Sequence, residues 1–138
     1  LPIIVQGVVS HESGGAILCV EQPEIHLHPR LQAHIADLLI ETIKPPETES
    51  DLPTGASGIN NQWIVETHSD VLMLRLQRRI REKTLSHEDV SVLYVHPIEG
   101  GGSTVVPLRL DTNGDFIDEW PDGFFEEGFN EMMMVTDR

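Results

Sequence analysis

Apolar residues fall in short blocks separated by polar breaks, and the blocks carry two different rhythms. Ala16-Ile17-Leu18-Cys19-Val20 is a continuous apolar run of strand length. A run without alternation predicts a strand buried on both faces, as in a parallel sheet. Pro29 suits the first position of a helix. Leu31, Ile35, Leu38, Leu39 and Thr42-Ile43 then keep the 3.6-residue spacing of a helix with a single apolar stripe, which Pro45-Pro46 ends. Trp63-Ile64-Val65 reads as a second strand. Ser69 or Asp70 is placed to cap a second helix, with Leu72, Met73, Leu76 and Ile80 as its buried stripe. Residues 90–96 and 104–110 read as two further strands around the loop Gly100-Gly101-Gly102, and Asn113-Gly114 signals a tight turn. The apolar start, from Leu1 to about His11, reads as the end of a buried helix, and Phe124 opens a last one.

Strands that alternate with helices through the first two thirds predict an α/β domain with a mainly parallel sheet. In such sheets ligands sit at the carboxyl ends of the strands. Two polar clusters fall there, Glu21-Gln22-Pro23-Glu24 and Glu66-Thr67-His68-Ser69.

At 138 residues the chain is long enough for one real core. Its net charge of −14, from 23 acidic and 9 basic residues, excludes a surface that grips DNA or an anionic membrane as a whole, while leaving room for a small basic patch. The lone cysteine, Cys19, rules out an internal disulfide framework and fits a reducing, cytoplasmic compartment. No apolar stretch approaches the roughly 20 residues of a membrane span, and no signal peptide is visible. The start at Leu1-Pro2-Ile3 leads us to expect a piece of a longer protein.

A strand that ends on a carboxylate suits Mg²⁺, which prefers oxygen and keeps several waters, so one or two protein carboxylates suffice. Glu21 is placed for that task. Glu24, His26 and His28 raise a rival, a zinc-dependent hydrolase, because histidine is the commonest metal ligand. The bland alternative has one histidine capping the helix and the other facing a partner.

The string Ile17-Leu18-Cys19-Val20-Glu21-Gln22-Pro23-Glu24-Ile25-His26-Leu27-His28-Pro29 resembles the Walker B and D-loop segment of ABC-type ATPase heads. It is most similar to the RecF-like, OLD-like and SMC-like members of the AAA family. The resemblance implies the C-terminal part of a P-loop NTPase domain, a mainly parallel sheet flanked by helices, with a C-terminal hairpin and helix. It implies ATP and Mg²⁺, with Glu21 holding the metal through water. Gln22 stands where a catalytic glutamate is usual. An amide cannot take a proton from water but can orient it. Hydrolysis is then slow with Gln22 positioning the water, or Glu24 is the base, or Glu21 serves twice. Residues 25–29 occupy the D-loop, so His26, Leu27 and His28 are expected to meet the second head of a homodimer. Trp63-Ile64-Val65-Glu66-Thr67-His68-Ser69 resembles the H-loop, or switch, which implies that His68 reaches the γ-phosphate.

A P-loop needs a Gly-Lys-Ser/Thr step. Lys44 and Lys83 are the two lysines and neither follows a glycine. The resemblance therefore places the P-loop upstream, in the N-terminal half of the same head, and implies negligible hydrolysis by this chain alone. Heads of this kind act on or near DNA, in repair or phage defence. The segment from Asn113-Gly114 to Glu126-Glu127 resembles a C-terminal segment of unknown function on some bacterial AAA-family ATPases. We thus expect an ATPase head over residues 1–110, an exposed insertion at 45–61 and a tail over 111–138. Asp111-x-Asn113-x-Asp115 departs from a calcium loop at Phe116 and Asp122. Five of the nine basic residues lie between Arg75 and Lys83, and Arg75, Arg79 and Lys83 follow at i, i+4 and i+8. That stripe is a candidate contact for DNA phosphates or an acidic partner, or a solvated face offsetting acids such as Glu82. With the aromatic tail it supports a second rival, a non-catalytic interaction module.

Overall fold

A computed structural model describes residues 16–43 and 61–121. The helices expected at the start and from Phe124, with Phe125 and Phe129, lie outside the described residues, as does the insertion except for Asn61. The chain divides into two compact units, Leu1–Leu76 and Gln77–Arg138. The described elements are β1 (Ile17–Glu21), α1 (Pro29–Ile43), β2 (Gln62–Glu66), α2 (Asp70–Arg81), a 3₁₀ turn (His87–Asp89), β3 (Val92–Pro97) and β4 (Ser103–Leu108). The protein is mixed α/β, with a parallel pair, helices and an antiparallel hairpin.

In the first unit β1 pairs with β2 in parallel, Ile17 opposite Gln62 through Glu21 opposite Glu66. Such a pair needs a crossover, and α1 supplies it. The backbone N–H of Leu31 donates to the His28 carbonyl at 2.7 Å and that of Arg30 to His28 Nδ1 at 3.3 Å. His28 therefore caps α1, and Pro29 begins it. At the other end the Trp63 indole N–H donates to Thr42 Oγ1 at 2.8 Å, and Asn61 Nδ2 donates to the Thr42 carbonyl at 3.1 Å. Asn61 Oδ1 accepts from the N–H of Ala16 at 3.0 Å. Asn61, read as the last residue of an insertion with little to bury, is buried because it stitches three segments together.

Two burial expectations change. The buried positions of α1 are Ala33, Ala36, Ile40 and Thr42, while Leu31 is 51% exposed and Leu38 37%. Small side chains lie on the buried face, and the large ones of the expected stripe only partly follow them. In β1 and β2 the pattern alternates exposed and half-buried instead of being buried throughout. Ile17 and Ile64 are 68% and 56% exposed, so the outward face of this small sheet presents large apolar side chains.

α2 runs as its stripe predicts, with Leu72, Met73 and Ile80 buried. Ser69 caps it: Ser69 Oγ accepts from the N–H of Leu72 at 3.1 Å. Asp70 in the first turn and Arg78, Arg79 and Arg81 in the last suit the helix dipole. In the second unit, the N–H of Lys83 bonds the Ile80 carbonyl and the N–H of Thr84 bonds the Arg79 carbonyl, with Lys83 at φ +60°. This is a Schellman ending with lysine where glycine is usual. β3 and β4 pair antiparallel, Val92 opposite Leu108 through Pro97 opposite Ser103. Tyr94 and Phe116 each meet Trp120 edge-on, at ring-centroid distances of 5.9 and 5.0 Å. Trp120 thus docks on the hairpin, as its size and apolarity suggest.

Candidate functional site

Glu21 and Glu66 are register partners at the carboxyl ends of β1 and β2, and both are exposed. The ladder runs one bond further, from the N–H of Gln22 to the Glu66 carbonyl at 2.8 Å. The two strands therefore end side by side. Gln22 and His68 lie immediately beyond, one on each connecting loop.

The first loop is built from two consecutive turns. The N–H of Ile25 donates to the Gln22 carbonyl at 3.1 Å and that of Leu27 to the Glu24 carbonyl at 3.0 Å. Gln22 at φ +45° and His26 at φ +66° take left-handed backbone, a conformation that costs a side-chain-bearing residue about 1 kcal/mol or more. The turns point Glu24 inward and leave Ile25, His26, Leu27 and His28 exposed.

Glu24 is 7% exposed, which a carboxylate tolerates only with partners. Its Oε1 accepts from Thr67 Oγ1 at 2.5 Å and from the N–H of His68 at 3.0 Å. Its Oε2 is buried without a hydrogen-bond partner. The N–H of Ser69 donates to Thr67 Oγ1 at 3.0 Å, Ser69 Oγ donates to Gln32 Oε1 at 2.7 Å, and Gln32 Nε2 donates to the Leu27 carbonyl at 3.0 Å. The two polar clusters are thus one hydrogen-bonded assembly. Glu66, Thr67, Ser69 and Gln32 were not singled out from the sequence for this part. The cap preference of Ser69 was the available signal; the rest depends on which loop faces which.

The fold does not gather the zinc triad. Glu24 faces inward, His26 and His28 face outward, and His28 Nδ1 is spent on the helix cap. Among the described residues no three His, Cys, Asp or Glu side chains form a metal-holding group. The basic stripe is also interrupted. Arg75 lies 3.8 Å from Asp37 Oδ2, and Arg79 pairs with Glu82 at 2.7 Å. Lys83 lies past the end of α2, and its Nζ donates to the Thr112 carbonyl. Glu82 also takes Arg78 at 2.7 Å, and these two arginine bonds hold its carboxyl below the usual range. A recess of about 340 Å³ in the second unit is lined by Ile80, Lys83, Leu85, His87 and Thr112 among others, and Lys83 alone of the candidate residues reaches it.

Among the described residues no helix is long and apolar enough to cross a membrane. Comparison with curated proteins and with solved structures finds no match. Two family models match. Residues 85–134 match the family described as Protein of unknown function (DUF3696), a span that includes β3 and β4, which the sequence pattern grouped with the region before them. Residues 6–73 match the AAA ATPase domain, a span that takes in β1, α1, β2 and both loops. The chain is thus similar to the AAA ATPase domain over residues 6–73 and to a family of unknown function over the segment that follows.

Proposed function

We propose that the carboxyl ends of β1 and β2 form the metal- and phosphate-facing part of an ATP-hydrolysing site. The parallel register that ends on Glu21 and Glu66 carries this reading, because it brings both strand ends to one edge. Neighbouring carboxylates repel each other across a ladder. A hard, oxygen-seeking cation fits them, and Glu21 would hold Mg²⁺ through water. That ion would supply neutralisation of charge on the phosphates. Gln22 orients the attacking water without taking its proton, which makes hydrolysis slow. Its left-handed backbone supports the assignment, since such conformations concentrate where function needs them. His68, exposed at the head of the second loop, donates a hydrogen bond to the γ-phosphate.

The phosphate cradle comes from the N-terminal region of the same head. Two heads meet through residues 25–28, whose outward-facing Ile25, His26, Leu27 and His28 support that role. Arg75 and Arg79 are engaged with acids of this chain, which speaks against α2 as the surface that contacts DNA. In the full-length protein Glu21→Ala and His68→Ala should each lower kcat for ATP hydrolysis by about 100-fold or more. Unaltered hydrolysis in both variants would refute the site.

A further inference from the structure

We infer that Glu24 is a positioning residue that couples the first loop to the second by holding the backbone of His68, and that it is not the base. This rests on the site proposed above. A general base must lie within hydrogen-bond reach of the proton it removes. Neither oxygen of Glu24 meets that need. Oε1 already takes two donors, Thr67 Oγ1 at 2.5 Å and His68 N–H at 3.0 Å, and Oε2 is closed off from solvent. What Glu24 does hold is the dipeptide on which the imidazole is mounted. The Thr67 hydroxyl also accepts from the N–H of Ser69, so one carboxylate oxygen organises the loop on both sides of His68. Bonds to an ionised acceptor are stronger than neutral ones.

The arrangement closes into a circuit. Ser69 Oγ leads to Gln32, and Gln32 leads back to the Leu27 carbonyl in the first loop. The loop with the outward-facing Leu27 and His28 is thereby tied to the aim of His68 from two directions. A partner that shifts residues 25–28 therefore shifts His68 with them.

The test uses two readouts on the full-length protein. Without nucleotide, the His68 amide should be protected from hydrogen exchange. Glu24→Gln, whose amide oxygen accepts the same two bonds, should keep that protection within about threefold, and Glu24→Ala should lose about tenfold or more. In hydrolysis, Glu24→Ala should lower kcat about 30-fold with KM within about twofold, as misaimed groups do. Thr67→Val should give a smaller loss that Thr67→Ser restores, so the result does not depend on Glu24→Ala folding well. The losses from Glu24→Ala and His68→Ala should not multiply. A Glu24→Gln variant as inactive as His68→Ala, with its His68 amide still protected, would make Glu24 the base and overturn the inference, as would multiplying losses. Wild-type turnover in both Glu21→Ala and His68→Ala would instead sink the site, leaving the exchange data to judge the circuit.

Discussion

Gly114 sits at φ +79°, and a Cβ there would lie 2.5 Å from the Gln77 carbonyl oxygen. The same closeness lets Gln77 Nε2 donate to the Gly114 carbonyl at 2.8 Å. Backbone cannot give way as a side-chain tip can, so Gly114→Ala should cost about 2–4 kcal/mol, read as a lower denaturation midpoint. The sequence signalled a turn at Asn113-Gly114; the need for glycine there comes equally from the helix packed against it. Nearby, the bonds from the Arg109 side chain and then its backbone N–H lower the Asp118 carboxyl to about 2. A depressed carboxyl stabilises the fold fully above its unfolded value, near 3.8, and the contribution fades as pH falls towards about 2. A carboxyl NMR titration should show that low midpoint, and Arg109→Ala, which removes the guanidinium and keeps the backbone N–H, should raise it part of the way towards the ordinary range. A wild-type midpoint near 3.8 would contradict the pairing. Asp111 is lowered too, by the N–H groups of Asp115 and Asn113 that it accepts, so this carboxylate organises its own turn.

Among the elements, the helices were the most legible. Pro29 at the start of α1 and Ser69 before α2 act through local rules, a fixed φ and a cap, that hold whatever the surroundings. The buried face of α1 was less legible. Spacing finds the large apolar residues, whereas burial went to Ala33 and Ala36 beside Ile40. Asn61 escaped for a similar reason: its composition reads as loop, yet it is 4% exposed and bridges Ala16 and Thr42. Asn61→Ala should leave the part-buried Ala16 N–H and the buried Thr42 carbonyl without these partners. Its cost should be about 2–3 kcal/mol in chemical denaturation, and a neutral result would mean that water replaces the amide.

For the molecule as a whole, the exposed apolar side chains of β1 and β2 matter most. A two-stranded sheet is marginal unaided, and parallel sheets are ordinarily covered on both faces. Ile17, Cys19 and Ile64 lie exposed on it. The 138-residue chain by itself should therefore bind a hydrophobic dye such as ANS, and Ile64→Lys should reduce that binding; a chain that leaves the dye dark would show the face to be covered. The net charge of −14 works against aggregation through that face. By itself the sequence determined the order of elements, the helix caps and the two polar clusters after β1 and β2, because propensity, capping and periodicity act between residues near in the chain. Only the tertiary structure decided that Glu24 turns inward to Thr67 and His68 and that Glu66 stands beside Glu21. Those outcomes depend on which loop packs against which, and spacing along one chain carries no record of contacts between residues more than forty positions apart.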